Sequence, residues 1–221
     1  MSASASGAAE PGRPPGMSGR PPAERSPGAA PVVAGGRLSQ PTGWWGMVLF
    51  LCAEGTLFGS LMATYFYLDF IAHRWPPKGI APPGVVLPLI ATAGLITTSL
   101  PLLLAVRASR LGRRRRVLGL ISLAVLIQLG YVAGQVLLFR HDLRQFQPNG
   151  SAYGSIYFTL LGAHHAHVVL GILLELGVLG HVLRRGLRNY WLIGVRSVAL
   201  YWHVVNALAI LVVLTQLSPS L

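Results

Sequence analysis

From residue 44 onward the chain alternates between long apolar runs and short polar connectors. The runs cover approximately 44–68, 85–106, 117–139, 153–182 and 198–217. Each reaches the roughly 20 residues that an α-helix needs to cross a bilayer. Backbone N–H and C=O groups have no water partner in lipid, so runs of this kind must be helical. The pattern therefore predicts an all-α fold, a polytopic bundle of five transmembrane helices over residues 41–221. The fourth run is long enough to tilt or to extend past the lipid. Pro88 and Pro101 lie inside the second run and predict a kink there.

The first 40 residues follow no such pattern. They hold seven prolines and seven glycines among many Ser and Ala. A segment of this kind buries too little apolar surface to offset its ordering entropy, so residues 1–40 read as a disordered tail. No apolar stretch of signal-peptide type follows a basic start, and the Pro and Gly density argues against an amphipathic transit helix.

Composition sharpens the membrane reading. Hydrophobic residues make up 52% of the 221 positions and charged residues 11%, against about 25% in ordinary soluble domains. A soluble domain of this size cannot be clothed in so few polar groups. The chain carries 18 Lys+Arg against 6 Asp+Glu, a formal +12, which by itself admits nucleic acid, an acidic partner or a membrane surface. Sorting the bases by connector decides among these. Fourteen fall in the tail (Arg13, Arg20, Arg25, Arg37), the second connector (Arg107, Arg110, Arg113, Arg114, Arg115, Arg116) and the fourth (Arg184, Arg185, Arg188, Arg196). Four fall on the other face: Arg74, Lys78, Arg140 and Arg144. The positive-inside rule then places the N-terminus in the cytoplasm and the C-terminus outside. The arginine cluster reads as a topology signal in contact with membrane lipids, with no nucleic-acid partner. Trp44, Trp45, Tyr65, Tyr67, Trp75, Tyr190 and Trp191 stand at the ends of runs, where aromatic belts are expected. A lone cysteine, Cys52, excludes an intramolecular disulfide and reads as a small buried residue.

Only Glu54 and Glu175 place acids inside the runs. Carboxyls at that depth are costly and are functional candidates by default. Glu54 lies ten residues past Trp44, about 15 Å into the bilayer. It shares a helix face with Met47, Phe58, Leu61 and Tyr65. Gly55, Gly59 and Ala63 form a neighbouring stripe at i, i+4 spacing, which predicts close helix packing through that stripe. The fourth run carries His164, His165 and His167. His164 and His167 are spaced i, i+3 and extend a stripe with Tyr153, Tyr157, Gly171 and Glu175. The fifth run adds His203 and Asn206. Glu54 and His164 are expected to meet at mid-depth, with His203 near their level. Three chemistries fit such a group: a hydrogen-bonded structural network, a proton-linked or lipid-contacting role for Glu54, or a metal or haem site. No phosphate loop, nucleophile elbow or zinc-protease motif is present, so no catalytic residue is assigned.

Three of the runs together resemble the subunit III family of haem–copper oxidases. The first, WWGMVLFLCAEGTLFGSLMATYFYL (44–68), resembles the family's Trp-Gly-Met helix with its buried Glu and Tyr-rich end. The fourth resembles a Tyr-Gly-Ser…Phe-Thr…Gly-Phe-His-Gly-Leu-His-Val segment, with Gly162, His164, His167 and Val168 matching. The fifth resembles a Tyr-Trp-His-Phe-Val-Asp helix, with Tyr201, Trp202, His203 and Val205 matching. His165 and Ala166 replace Gly-Leu, Asn206 stands where Asp is usual, and Glu175 has no counterpart. The chain is similar to the short, five-helix form of the family.

The resemblance implies an accessory membrane subunit of a terminal oxidase that reduces oxygen and pumps protons in aerobic respiration. Such a subunit packs on the catalytic subunit I, stabilises it and supports proton uptake, and binds neither haem nor copper. Those cofactors belong to the partner, and phospholipid is a candidate ligand. By carry-over, Glu54 is the family's buried acid, and His164, His167 and His203 are its buried partners. The implied location is a bacterial plasma membrane. The alternatives are a stand-alone membrane redox or cofactor-binding protein using the histidines, a subunit III relative associated with nitric oxide reductase, or a small proton channel centred on Glu54.

Overall fold

A computed structural model describes residues 42–80, 84–186 and 189–220, with only the backbone of 189–192 and 220. The expected tail over 1–40 and the interfacial side chains of Tyr190 and Trp191 lie outside the described residues. Six α-helices follow in order: α1 Thr42–Ile71, α2 Val86–Thr97, α3 Ser99–Arg110, α4 Arg114–Gln145, α5 Ala152–Arg185 and α6 Asn189–Leu217, closed by a 3-10 turn at Ser218–Ser220. They make five crossings, because α2 and α3 together form one apolar span, Val86–Arg110. The chain is an integral membrane protein with the expected five-span, all-α architecture. At 34 residues, α5 is about 51 Å long and outruns a hydrocarbon core of about 30 Å.

The second span, where a kink is expected, is interrupted at Thr98, the residue between α2 and α3. Pro101 has no N–H to bond the carbonyl four residues back, and its ring crowds that carbonyl. The backbone tightens at that point. The N–H of Thr98 reaches Leu95 O at 3.1 Å, and its hydroxyl donates to the same oxygen at 2.7 Å.

The helix ends are closed by local chemistry. After α3 the N–H of Arg113 bonds Ala108 O (3.0 Å) and that of Gly112 bonds Ser109 O (3.1 Å). Gly112 has φ +66°, the left-handed conformation this C-terminal cap needs and glycine adopts cheaply. The Ser151 hydroxyl accepts the N–H of Gly154 at 3.0 Å and caps the start of α5. Arg114 then ties the α3–α4 corner to the end of α5, donating to Val182 O (3.2 Å) and Leu183 O (2.7 Å).

α6 is the central element and packs on α1, α2, α3 and α5. α4 packs on α2, α3 and α5, whereas among the described helices α1 packs on α5 and α6 alone and stands at the edge. The interior is fully buried at Leu95, Ala105, Val117, Ala124, Val168 and Trp202. An aromatic cluster of Tyr65, Tyr153, Tyr157 and Phe158 fills the bundle end where α4 meets α5.

α1 reverses one expectation. Its Gly55, Gly59 and Ala63 stripe is exposed, and a Cβ built on either glycine meets nothing within 4 Å. The inward face is the one that carries the acid, with Leu51, Phe58 and Tyr65 buried. Bulky rings fill the gap to α5 and α6, so no close backbone approach is needed. Cys52, expected inside, is exposed on α1. Tyr65, expected among the ring residues at the end of its run, lies in the aromatic cluster at the bundle end and faces inward. It is fully buried, with its ring 5.3 Å from that of Trp75.

Candidate functional site

The polar groups of the spans do not gather into one cluster. α5 distributes them to its neighbours. His167 faces α1, where its Nε2 lies 2.7 Å from Glu54 Oε2. His164 faces α4, where its Nε2 lies 3.3 Å from the Tyr131 hydroxyl. Glu175 also faces α4, and its Oε1 accepts from Gln128 Nε2 at 3.1 Å. Near the loop end of α5, the Tyr157 hydroxyl donates to Asp142 Oδ2 at 3.0 Å. The expected meeting of Glu54 with His164 is therefore replaced by Glu54 with His167. At i, i+3 the two imidazoles are about 60° apart around the helix, and each reaches a different neighbouring helix.

The Glu54–His167 contact has a defined proton inventory. His167 Nδ1 lies 2.6 Å from Ala163 O, and a carbonyl only accepts, so Nδ1 carries hydrogen. The 2.7 Å contact at Nε2 then needs one further proton. Either imidazolium donates to carboxylate, or the acid form of Glu54 donates to neutral imidazole. The two side chains are 18% and 13% exposed, so the pair lies at the bundle's flank. Phe58 sets its ring edge-on to His167, with centroids 5.2 Å apart. The Tyr201 hydroxyl donates to the backbone carbonyl of His167 at 2.7 Å and holds α6 at the same level.

Asn206 serves a different junction. Its Nδ2 donates to Ser99 Oγ at 2.8 Å and Thr98 Oγ1 at 3.4 Å, pinning α6 to the break between α2 and α3. His203 is half-buried and joins none of these pairs. Among the described residues, no group of three or more His, Cys, Asp or Glu side chains is placed to share a metal ion. Glu175 is fully buried, and Gly171, between it and His164, lies under the rings of Trp202 and Tyr201.

Several partners escaped the reading of the sequence. Gln128, Tyr131, Gln135, Asp142 and Gln145 recur at helical spacing on α4. All five approach polar groups of α5 or line the space beside it. The signal was a polar stripe with i, i+3 and i+4 spacing inside an apolar span.

The family model for cytochrome c oxidase subunit III matches residues 39–217. A quinol oxidase subunit 3 from Bacillus spizizenii is 31% identical over 77% of this chain and 82% of its own length. A cytochrome c oxidase subunit 3 from Bacillus subtilis is 32% identical over 74% of this chain and 78% of its own. The counterpart from Thermostichus vulcanus is 28% identical over 75% and 82%. Five apolar spans, an acid on the first that meets a histidine on the fourth, and these matches agree: the chain belongs to the cytochrome c oxidase subunit III family and is an accessory membrane subunit of a haem–copper terminal oxidase.

Proposed function

We propose that the chain docks on the haem- and copper-bearing catalytic subunit, keeps it from inactivating during turnover and supports its proton uptake. The carrying observation is the Glu54–His167 hydrogen bond, which joins two of the family-like segments and holds one exchangeable proton at the flank of the bundle. We place the N-terminus in the cytoplasm of a bacterial cell and the C-terminus outside. Fourteen of the 18 bases support that orientation. The contact of Arg114 with the end of α5 agrees with two of the basic connectors lying at one end of the bundle. Relatives named for quinol and for cytochrome c match the chain about equally, so the choice of donor is assigned to other subunits.

Affinity purification through this chain tests the reading. Haem is expected in the complex and absent from the isolated chain. Complexes carrying Glu54→Ala are expected to assemble and then lose oxygen consumption sooner during sustained turnover. Stoichiometric haem or copper on the isolated chain would overturn the proposal.

A further inference from the structure

A cavity of about 390 Å³ lies between α2, α4, α5 and α6 at the bundle end that carries the α4–α5 loop. His141 and Asp142 stand at its mouth. Its wall runs past Tyr157 and Gln135 to Tyr131 and His164. Asp142 and Tyr131 are eleven residues apart on α4, about 16 Å of helix. The cavity is therefore a shaft reaching toward mid-depth and not a surface dent.

Its inner end is polar and closed. His164 is 2% exposed. Its Nε2 faces the Tyr131 hydroxyl, and its Nδ1 has no protein partner among the described residues. One turn further along α5, Val168 is fully buried, and beyond it Gly171 leaves no room beneath Trp202. The Glu54–His167 pair lies on the flank of α5 that faces α1 and does not line the cavity.

Polar groups inside a span are retained where they face the bundle interior or water. Dry cavities are apolar, whereas a cavity with several polar partners holds water that satisfies buried atoms such as Nδ1. At ~30 Å³ per molecule, this one has room for on the order of ten waters. We propose that the cavity is a water-filled half-shaft that gives the aqueous phase at the α4–α5 loop end access to His164, with water and the hydrated proton as its occupants. The route ends at His164, because the packing at Val168 and Gly171 leaves it no continuation to the opposite membrane face.

Cysteine accessibility in membranes holding the whole oxidase complex tests this. Cys52→Ser removes the chain's only cysteine. Gln135→Cys and His164→Cys then probe the shaft, and Leu137→Cys, 68% exposed on the outer surface of α4, is the lipid-facing control. The probe is a membrane-impermeant trimethylammonium methanethiosulfonate, added from one side and read by mass on this chain. The cysteine thiolate, which needs water to form, attacks the reagent's sulfenyl sulfur and expels methanesulfinate, so the shaft positions are expected to react at least about 100-fold faster than the control. The reaction is expected only from the α4–α5 loop side. A plug, Leu161→Trp, is expected to slow Gln135→Cys at least about tenfold, since an indole fills a passage a few waters wide. Gln135→Cys carries the test if His164→Cys fails to assemble. Reaction no faster than the control, as for a shaft filled by an acyl chain, would overturn the proposal. So would equal reaction from both sides, or a rate unchanged by the plug.

Discussion

The indole of Trp202 lies so close over Gly171 that a Cβ at residue 171 would stand 2.6 Å from Cζ2 and 2.8 Å from Cε2. Tyr201 Cε1 stands 2.8 Å from the same point. Both rings are buried, so neither can swing aside. Gly171→Ala is therefore expected to destabilise the detergent-solubilised chain by about 1–3 kcal/mol, the usual cost of overpacking. Gly55→Ala and Gly59→Ala meet open space and gain helix propensity, so each is expected to be neutral or slightly stabilising, by at most about 1 kcal/mol. Thermal unfolding of the three variants side by side checks the contrast. An intact Gly171→Ala protein with damaged Gly55→Ala would refute this packing.

Glu54→Gln separates hydrogen bonding from proton storage. With Nδ1 of His167 committed to Ala163 O, an amide N–H at residue 54 can donate to Nε2. The contact survives and the chain is expected to lose no more than about 1 kcal/mol. The exchangeable proton is lost. A hydrophobic carbodiimide, which adds to carboxyl groups, is expected to label Glu54, the partly exposed acid, and to spare Glu175, which is fully buried. Labelling that persists in Glu54→Gln contradicts this.

Gln128 and Glu175 form a buried pair whose halves are unequal to remove. Gln128→Leu leaves a fully buried carboxyl without its donor. That is expected to cost about 1–3 kcal/mol. Replacing both by leucine removes both desolvated groups and is expected to cost less than Gln128→Leu alone. A double-mutant cycle from denaturation midpoints reads the difference. Additive losses would show that the two side chains do not interact.

Asn206 holds α6 to a weak point in another helix. Asn206→Leu removes the donor to Ser99 and Thr98 at a cost of about 0.6–1.7 kcal/mol, the range for interhelical bonds in membranes. The loss is expected to be local. Amide exchange over residues 97–102 should rise while the middle of α5 stays protected. Uniform loss of protection would point to a global effect instead.

Much of the architecture was legible in the sequence because lipid simplifies the problem. A run of about 20 apolar residues has one viable backbone conformation there. The five spans follow from composition and position, and so does the choice of Glu54, His164 and His167 as the polar residues to look for inside them. An interruption of the second span was foreseeable from Pro101, although it falls at Thr98, where the carbonyl ladder is first disturbed.

Which groups meet was decided by the tertiary structure. Periodicity gives each residue a direction on its own helix but not the neighbour in that direction. His164 and His167 look like one face until α4 and α1 occupy the two sides of it. The Gly55 stripe looks like a packing surface until Phe58 and Tyr65 fill the gap on the adjacent face. Between helices in lipid there is little hydrophobic drive, so van der Waals fit and hydrogen bonds choose the partners. Those terms depend on distances of a few tenths of an ångström, as between Gly171 and Trp202. A one-dimensional pattern does not contain them.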